Sequence, residues 1–265
     1  MLRFTPFQCG NCYPAKAIPP ATTSYPMRRF VQAFSAYQHD SNLPPSLVAA
    51  LGGTADRYNI AVRKHASVVV VRDGCWQVEE MAWGLVPSWE KEPQTRYSTQ
   101  TARLRHAPTS KMYRRAWQDR RCGVPMNGYY KWDRERRPPW PYFIQSTRGF
   151  ILFAVGLWER WESDSGQRMD SFAVLTQPNS AIPRPLTPDG PVFLSPARLE
   201  DWLTCEPRRA MRLALGARQP VLEAYPVSRR VANRDVDDYT LLEPATPTDG
   251  IDGEAEDPDE IDEED

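Results

Sequence analysis

The chain has 265 residues, 41% of them hydrophobic, and a formal net charge of −1. That length suits one sizeable core and is short for two. The sequence holds no run of eighteen apolar residues, so no membrane-spanning helix is expected, and Met1 to Gln8 lack the apolar core of a secretory leader.

The near-neutral charge hides an asymmetry. Eleven of the 34 acidic residues lie between Asp249 and Asp265, where there is no Lys or Arg, so 23 acids face all 33 bases in residues 1–243, a net of +10. A basic body of this kind fits an anionic partner such as nucleic acid. The 249–265 stretch has only Ile251 and Ile261 as large apolar residues, which predicts a disordered acidic tail. That tail either serves solubility alone or folds back on the basic face and competes with DNA. Residues 1–243 are thus read as one domain and 244–265 as its tail. Five cysteines at irregular spacing argue against a disulfide scaffold. They predict an intracellular, reducing setting: the nucleus of a eukaryote, or the cytoplasm or nucleoid of a bacterium.

Along the chain, Cys9-Gly-Asn-Cys12 has the spacing of a redox pair or half a zinc site, but no second ligand pair follows, so neither metal nor cofactor is expected. Residues 13–26 carry four prolines and read as loop. Met27, Phe30, Val31, Phe34 and Tyr37 have helical apolar spacing, which predicts a helix over 27–38. Pro44-Pro45-Ser46 and Gly52-Gly53 bracket a second short helix. Val68 to Val71 predicts a buried strand, Asp73-Gly74 a hairpin turn and Trp76 to Trp83 its partner strand. Gly128-Tyr-Tyr-Lys-Trp132, Phe150 to Val155 and Phe172 to Leu175 read as further strands. Ser195-Pro196 supplies the start signals of a helix running to Leu203. Cys75 and Cys122 sit among apolar neighbours and read as buried small hydrophobes. The total is an α+β, β-rich single domain, with mixed sheets or an open barrel-like core and a few flanking helices.

Eight short blocks carry the functional signal: Arg57-Tyr-Asn-Ile-Ala61, Trp83-Gly-Leu-Val-Pro-Ser-Trp89, Thr101-Ala-Arg103, Thr109-Ser-Lys-Met-Tyr113, Gly128-Tyr-Tyr-Lys-Trp132, Pro141-Tyr-Phe-Ile144, Ala154-Val-Gly-Leu-Trp-Glu159, and Pro226-Val-Ser228 with Asn233. Their order resembles that of the SOS-response-associated peptidase family, sensors of abasic sites in single-stranded DNA. The resemblance covers roughly residues 9–235. It implies covalent capture of the abasic sugar aldehyde by an N-terminal cysteine, whose thiol and amine close a thiazolidine ring. An Asn positions the sugar, and a Glu and a His move protons.

The reactive positions are substituted. Residue 2 is Leu, and the nearest match to the opening cysteine is Cys9, with eight residues before it. Thr101 stands where the family has Asn, and Lys131 where it has Glu. Within Leu186-Thr-Pro-Asp-Gly-Pro-Val-Phe-Leu194, Thr187 stands at the His and Asp189 at an Arg; none of His39, His65 and His106 falls there. Lys131 is either an exposed lysine without a role or, in a partly desolvated pocket, an amine able to form a Schiff base.

The resemblance implies a partner, single-stranded DNA with abasic sites, bound by a monomer. Trp83 and Trp89 are candidate stacking residues, although Trp83 also reads as a strand core residue. Arg103, Lys111 and Arg121 are candidate phosphate contacts, with Arg114, Arg115, Arg120, Arg134, Arg136 and Arg137 as further ones. Three readings follow. The chain binds single-stranded DNA with reduced or absent crosslinking; or it is a working crosslinking enzyme after processing to Cys9; or it is a protein-interaction module.

Overall fold

The computed structural model describes residues 27–35 and 43–247. The Cys9–Cys12 pair, the loop over 13–26 and the acidic tail lie outside the described residues.

The strands form two sheets, and the larger is a closed barrel. Its ring consists of β3 (His65–Arg72), β4 (Cys75–Trp83), β6 (Arg121–Met126), β9 (Leu152–Glu162) and β10 (Arg168–Pro178). In the order β10-β4-β3-β6-β9, β9 pairs back onto β10 and completes the circuit. The β10–β4 contact is parallel, through Ser171↔Ala82 and Phe172↔Trp83, while the other ring contacts are antiparallel. Two of the closing contacts are short: β3 meets β6 at Val69↔Gly123, and β4 meets β10 at Ala82 and Trp83. Three short strands extend it. β5 (Thr101–Arg103) runs parallel to β10, β11 (Asp189–Pro191) pairs with the end of β10, and β12 (Phe193–Leu194) pairs with β9.

The smaller sheet is antiparallel throughout. It comprises β13 (Leu222–Pro226), β8 (Trp140–Ser146), β7 (Gly128–Asp133), β1 (Arg29–Gln32) and β2 (Arg57–Ala61), in that order. Alternation along the strands separates the cores. Val68, Val70, Val124, Ala154, Phe172 and Val174 pack against Phe30, Ile60, Tyr129 and Ile144 of the smaller sheet. The intervening Val69, Phe153, Val155 and Leu175 face the helices. These are α1 (Pro45–Leu51), α2 (Arg114–Asp119), α3 (Pro196–Thr204) and α4 (Pro207–Leu215). Three of the four begin with proline, which has no amide hydrogen to leave unpaired at a helix start. On the outer face of the smaller sheet, Val31, Tyr130 and Phe143 are covered by Val227, Val231 and Leu241.

Two buried amides tie these layers together. Gln32 donates to the Ser67 carbonyl at 2.7 Å and to the Pro125 carbonyl at 2.8 Å, and accepts from the Ser67 amide at 2.9 Å, joining the smaller sheet to β3 and β6. Asn59 donates to the carbonyls of Asn233 and Val236 at 2.9 and 2.8 Å and accepts from Arg29 at 3.2 Å, holding the C-terminal wrap.

The expected α+β, β-rich architecture is the one the chain adopts, and the barrel is closed rather than open. The Asp73-Gly74 turn has positive φ at both residues, 52° and 75°, as a two-residue hairpin requires. One element differs. Residues 29–32, expected in a helix over 27–38, form β1. This is an interior strand of the smaller sheet with all four residues buried, the polar Arg29 and Gln32 included, so its burial shows no alternation. No helix among the described residues is long and apolar enough to cross a membrane.

Candidate functional site

Three strands bring Lys131, Asp189 and Arg103 to one junction, with Thr101 two residues before Arg103 on β5 and Thr187 two residues before the start of β11. β5 lies against β10 with Thr101 opposite Val174 and Arg103 opposite Thr176, and β11 starts with Asp189 opposite Pro178. From the smaller sheet, Lys131 on β7 reaches across, and its Nζ donates to the Asp189 carbonyl at 2.5 Å. The Arg103 guanidinium lies 3.2 Å from Oδ1 of the same Asp189. Asp189 therefore joins a buried lysine through its backbone to a half-exposed arginine through its side chain.

The polar atoms around this junction are not all satisfied. Among the described residues, the buried Thr187 hydroxyl and Tyr129 phenol have no hydrogen-bond partner. Tyr129 shares a face of β7 with Lys131, and its hydroxyl would lie 3.1 Å from a Cβ on Gly190. Burial raises the Tyr129 phenol far above its ordinary range. Thr101 is partly exposed, and its carbonyl accepts from the Tyr113 hydroxyl at 3.2 Å.

Lys131 is not the exposed lysine that one sequence reading allowed. It is 3% exposed, and desolvation lowers its amine to about 8, against the opposing pull of the Asp189 charge. The folded amine thus releases its proton near pH 8, whereas the unfolded chain holds it to about 10.5. Between these values the unfolded state binds more protons, so stability rises with pH across the window; below it the buried charge is a fixed cost of ~3 kcal/mol. Lys131→Met removes that cost together with the bond to the Asp189 carbonyl. Lys131→Met should therefore gain stability at pH 7, and the gain should shrink as pH rises from about 8 to 10.5, measured by calorimetry at both ends of that window.

The loop from β4 to β5 carries the aromatic surface. Trp89 is 47% exposed, with the Lys111 ammonium 5.0 Å above its ring. Arg115 donates to the Ser88 hydroxyl at 2.9 Å, and the Trp161 indole donates to the Glu90 carbonyl at 2.8 Å, so the loop is held from both sides. Tyr97, equally exposed, has the Arg96 guanidinium 5.2 Å from its ring.

Two expected DNA contacts are internal. Trp83 is fully buried; its indole donates to the Gln100 carbonyl at 2.9 Å, and its ring meets Phe30 edge-on at 4.8 Å. Arg121 is buried, with its guanidinium bonded to the carbonyls of Trp117, Gln118, Trp202 and Cys205. Neither is placed to touch a nucleic acid. Arg120 is paired with Glu159, and Arg136 with Asp133 at 3.4 Å. Of the two cysteines expected inside, Cys122 is buried and Cys75, at the corner of the β3–β4 hairpin, is exposed. No group of three or more His, Cys, Asp or Glu among the described residues is placed to hold a metal ion. Cys9 lies outside the described residues. The sequence did not single out Ser88, Tyr97 or Tyr129, nor Asp189 as the junction; the signals were adjacency to Trp89, an exposed aromatic in a polar loop, and position beside Lys131.

The model of the family described as SOS response associated peptidase (SRAP) matches residues 28–234. The chain belongs to this family. Among SRAP relatives, it is 33% identical over 121 residues to the abasic site processing protein YMR114C of Saccharomyces cerevisiae, a match spanning 45% of this chain and 32% of that protein. It is 25% identical over 192 residues to the abasic site processing protein YedK of Escherichia coli, spanning 71% of this chain and 84% of that one. The corresponding match to YoaM of Bacillus subtilis is 23% over 190 residues, spanning 70% and 84%. A solved structure from Bacteroides thetaiotaomicron superposes with a TM-score of 0.67 at 18% identity, covering 83% of this chain and all of the other. That last likeness concerns the SRAP fold alone.

Proposed function

We propose that this SRAP protein binds single-stranded DNA containing abasic sites and forms little heat-stable adduct with it. The observation that carries the reading is the exposed Trp89 ring with Lys111 above it, on a loop that leads into Thr101–Arg103. Aromatic stacking tolerates any base, and Lys or Arg beside it engages phosphate. Lys111 over Trp89 and Arg115 on Ser88 supply cations beside that ring, Arg103 follows on β5, and the +10 charge of residues 1–243 supports steering of a polyanion. Reduced crosslinking follows from the substitutions: Lys131 supplies no carboxylate, and Thr101 and Thr187 supply neither amide nor imidazole. An amine inside a peptide bond cannot close a thiazolidine, so Cys9 gains that chemistry only if residues 1–8 are removed.

The test is fluorescence anisotropy on an abasic oligonucleotide at two salt concentrations. Trp89→Ala should weaken binding by about 5- to 100-fold, the equivalent of one lost stacking contact, with an unchanged melting temperature. Lys111→Ala should weaken it less and reduce the salt slope by about 0.7. Deleting 248–265 should leave binding intact or tighten it. Absence of binding by the truncated chain at low salt would instead favour a protein-interaction module. A heat-stable adduct lost in Cys9→Ala would favour the processed crosslinking enzyme.

A further inference from the structure

We propose that Lys131 captures aldehydes as a reversible imine, and that its substrate is the ring-opened sugar of an abasic site. The proposal rests on the single-stranded DNA reading above for its natural substrate, but the reactivity of the amine is a separate property.

Four features of the 187–190 junction carry it. Lys131 is the one buried lysine among the described residues; Lys64, Lys91 and Lys111 are exposed. Its stem is fixed in β7, and its Nζ is aimed at the start of β11 by the bond to the Asp189 carbonyl. Among the described residues, the Tyr129 phenol, which would lie 3.1 Å from a Cβ on Gly190, and the hydroxyl of Thr187 within the same segment are buried O–H donors without a partner. A purely structural lysine does not need unpaired donors around it, and leaving such groups unsatisfied is costly. Finally, Arg103 lies half-exposed on the Asp189 carboxylate, where a phosphate flanking the sugar would compete for it.

The step balances without an oxidant or reductant. The neutral amine adds to the aldehyde carbon, forming the C–N bond while the C=O electron pair moves to oxygen. A proton passes from nitrogen to that oxygen. The carbinolamine oxygen then leaves as water and C=N forms; hydrolysis returns amine and aldehyde. Burial supplies the neutral amine near neutral pH that an exposed lysine lacks. An imine, unlike a thiazolidine, reopens readily, in keeping with weak heat-stable crosslinking.

The test traps the C=N bond with borohydride as a secondary amine and maps it by peptide mass spectrometry on the full chain. One arm uses glycolaldehyde, the other an abasic oligonucleotide. With glycolaldehyde, Lys131 should be modified at least about tenfold faster than Lys64, Lys91 and Lys111 at pH 7.5. Its rate should rise about 15-fold from pH 6.5 to 8 as the amine loses its proton. Among the described residues, the charged groups facing that amine are the Asp189 carboxylate and Arg103 upon it; Tyr129 shares its face of β7, and Tyr142 lies opposite on β8. Lys131→Met, shown folded by its melting curve, should abolish the product. Modification of Lys131 no faster than of the exposed lysines overturns the proposal. Lys131 reacting with glycolaldehyde but not with abasic DNA that anisotropy shows to be bound overturns its assignment to the sugar. Absence of DNA binding alongside normal glycolaldehyde capture overturns the DNA reading and leaves the reactive amine standing.

Discussion

Arg121→Met should lower the melting temperature by about 10 °C, the equivalent of ~3–5 kcal/mol in a chain of this size. The guanidinium donates through Nε to the Trp202 carbonyl at 2.7 Å and through Nη1 to those of Trp117 and Gln118 at 2.8 and 3.0 Å; Nη2 reaches the Cys205 carbonyl. These carbonyls belong to the last turns of α2 and α3 and the residue that ends α3. The final carbonyls of a helix have no partner within it and form the negative end of its dipole. One buried cation satisfies both ends at once, its plane 5.7 Å from the Trp202 ring. Burial lowers the Arg121 pKa, yet the group remains a cation. Methionine fills the space and strands four carbonyls. Lysine keeps the charge but lacks the planar fork, so Arg121→Lys should recover only part of the loss. Arg115→Ala, on the exposed face, should change stability by less than about 0.5 kcal/mol. Differential scanning calorimetry of the three variants checks the set. Equal behaviour of Arg121→Met and Arg115→Ala would contradict the joint role.

Gly128→Ala should be comparably damaging, by ~3 kcal/mol or more. A Cβ there would lie 2.3 Å from the Ile144 carbonyl oxygen and 2.5 Å from Cζ of Phe143. The first obstacle is backbone, in a β7–β8 ladder whose Gly128↔Gln145 register places the two strands side by side. The second is a fully buried ring in contact with Tyr130 and Tyr225. Neither can rotate away, so the strand must shift, and Lys131 three residues on shifts with it. Urea denaturation should show a lowered midpoint, and imine trapping at Lys131 should fall more than the folded fraction does. A variant with wild-type stability would refute the close approach.

Much of this architecture was legible because local chemistry and tertiary position agree. Asp73-Gly74 demanded a tight hairpin, Val68 to Val71 a buried strand, and Ser195-Pro196 a helix start. Residues 27–34 misled because a strand with two buried faces has no period-two pattern, and Met27, Phe30, Val31 and Phe34 then match a helix by spacing alone. Arg121 could not be separated from Arg114, Arg115 and Arg120 by composition. What distinguishes it is the arrival of α3 above it from some eighty residues downstream, a long-range fact. The same holds for Lys131: its position in the chain was readable, but its desolvation depends on β11. Cys75 has the apolar neighbours of a core residue and yet turns outward, because it closes the hairpin corner.

The closed ring also sets how the protein can fold. Its parallel seam joins Ala82 and Trp83 to Ser171 and Phe172, nearly ninety residues apart in sequence. Loop closure of that length costs entropy before any contact offsets it. The β3–β4 and β9–β10 hairpins join neighbouring segments, whereas the seam joins segments far apart in the chain. Refolding should therefore be slow and cooperative. Nascent chains released before β10 emerges would present the open edge of β4, a template for pairing with other chains.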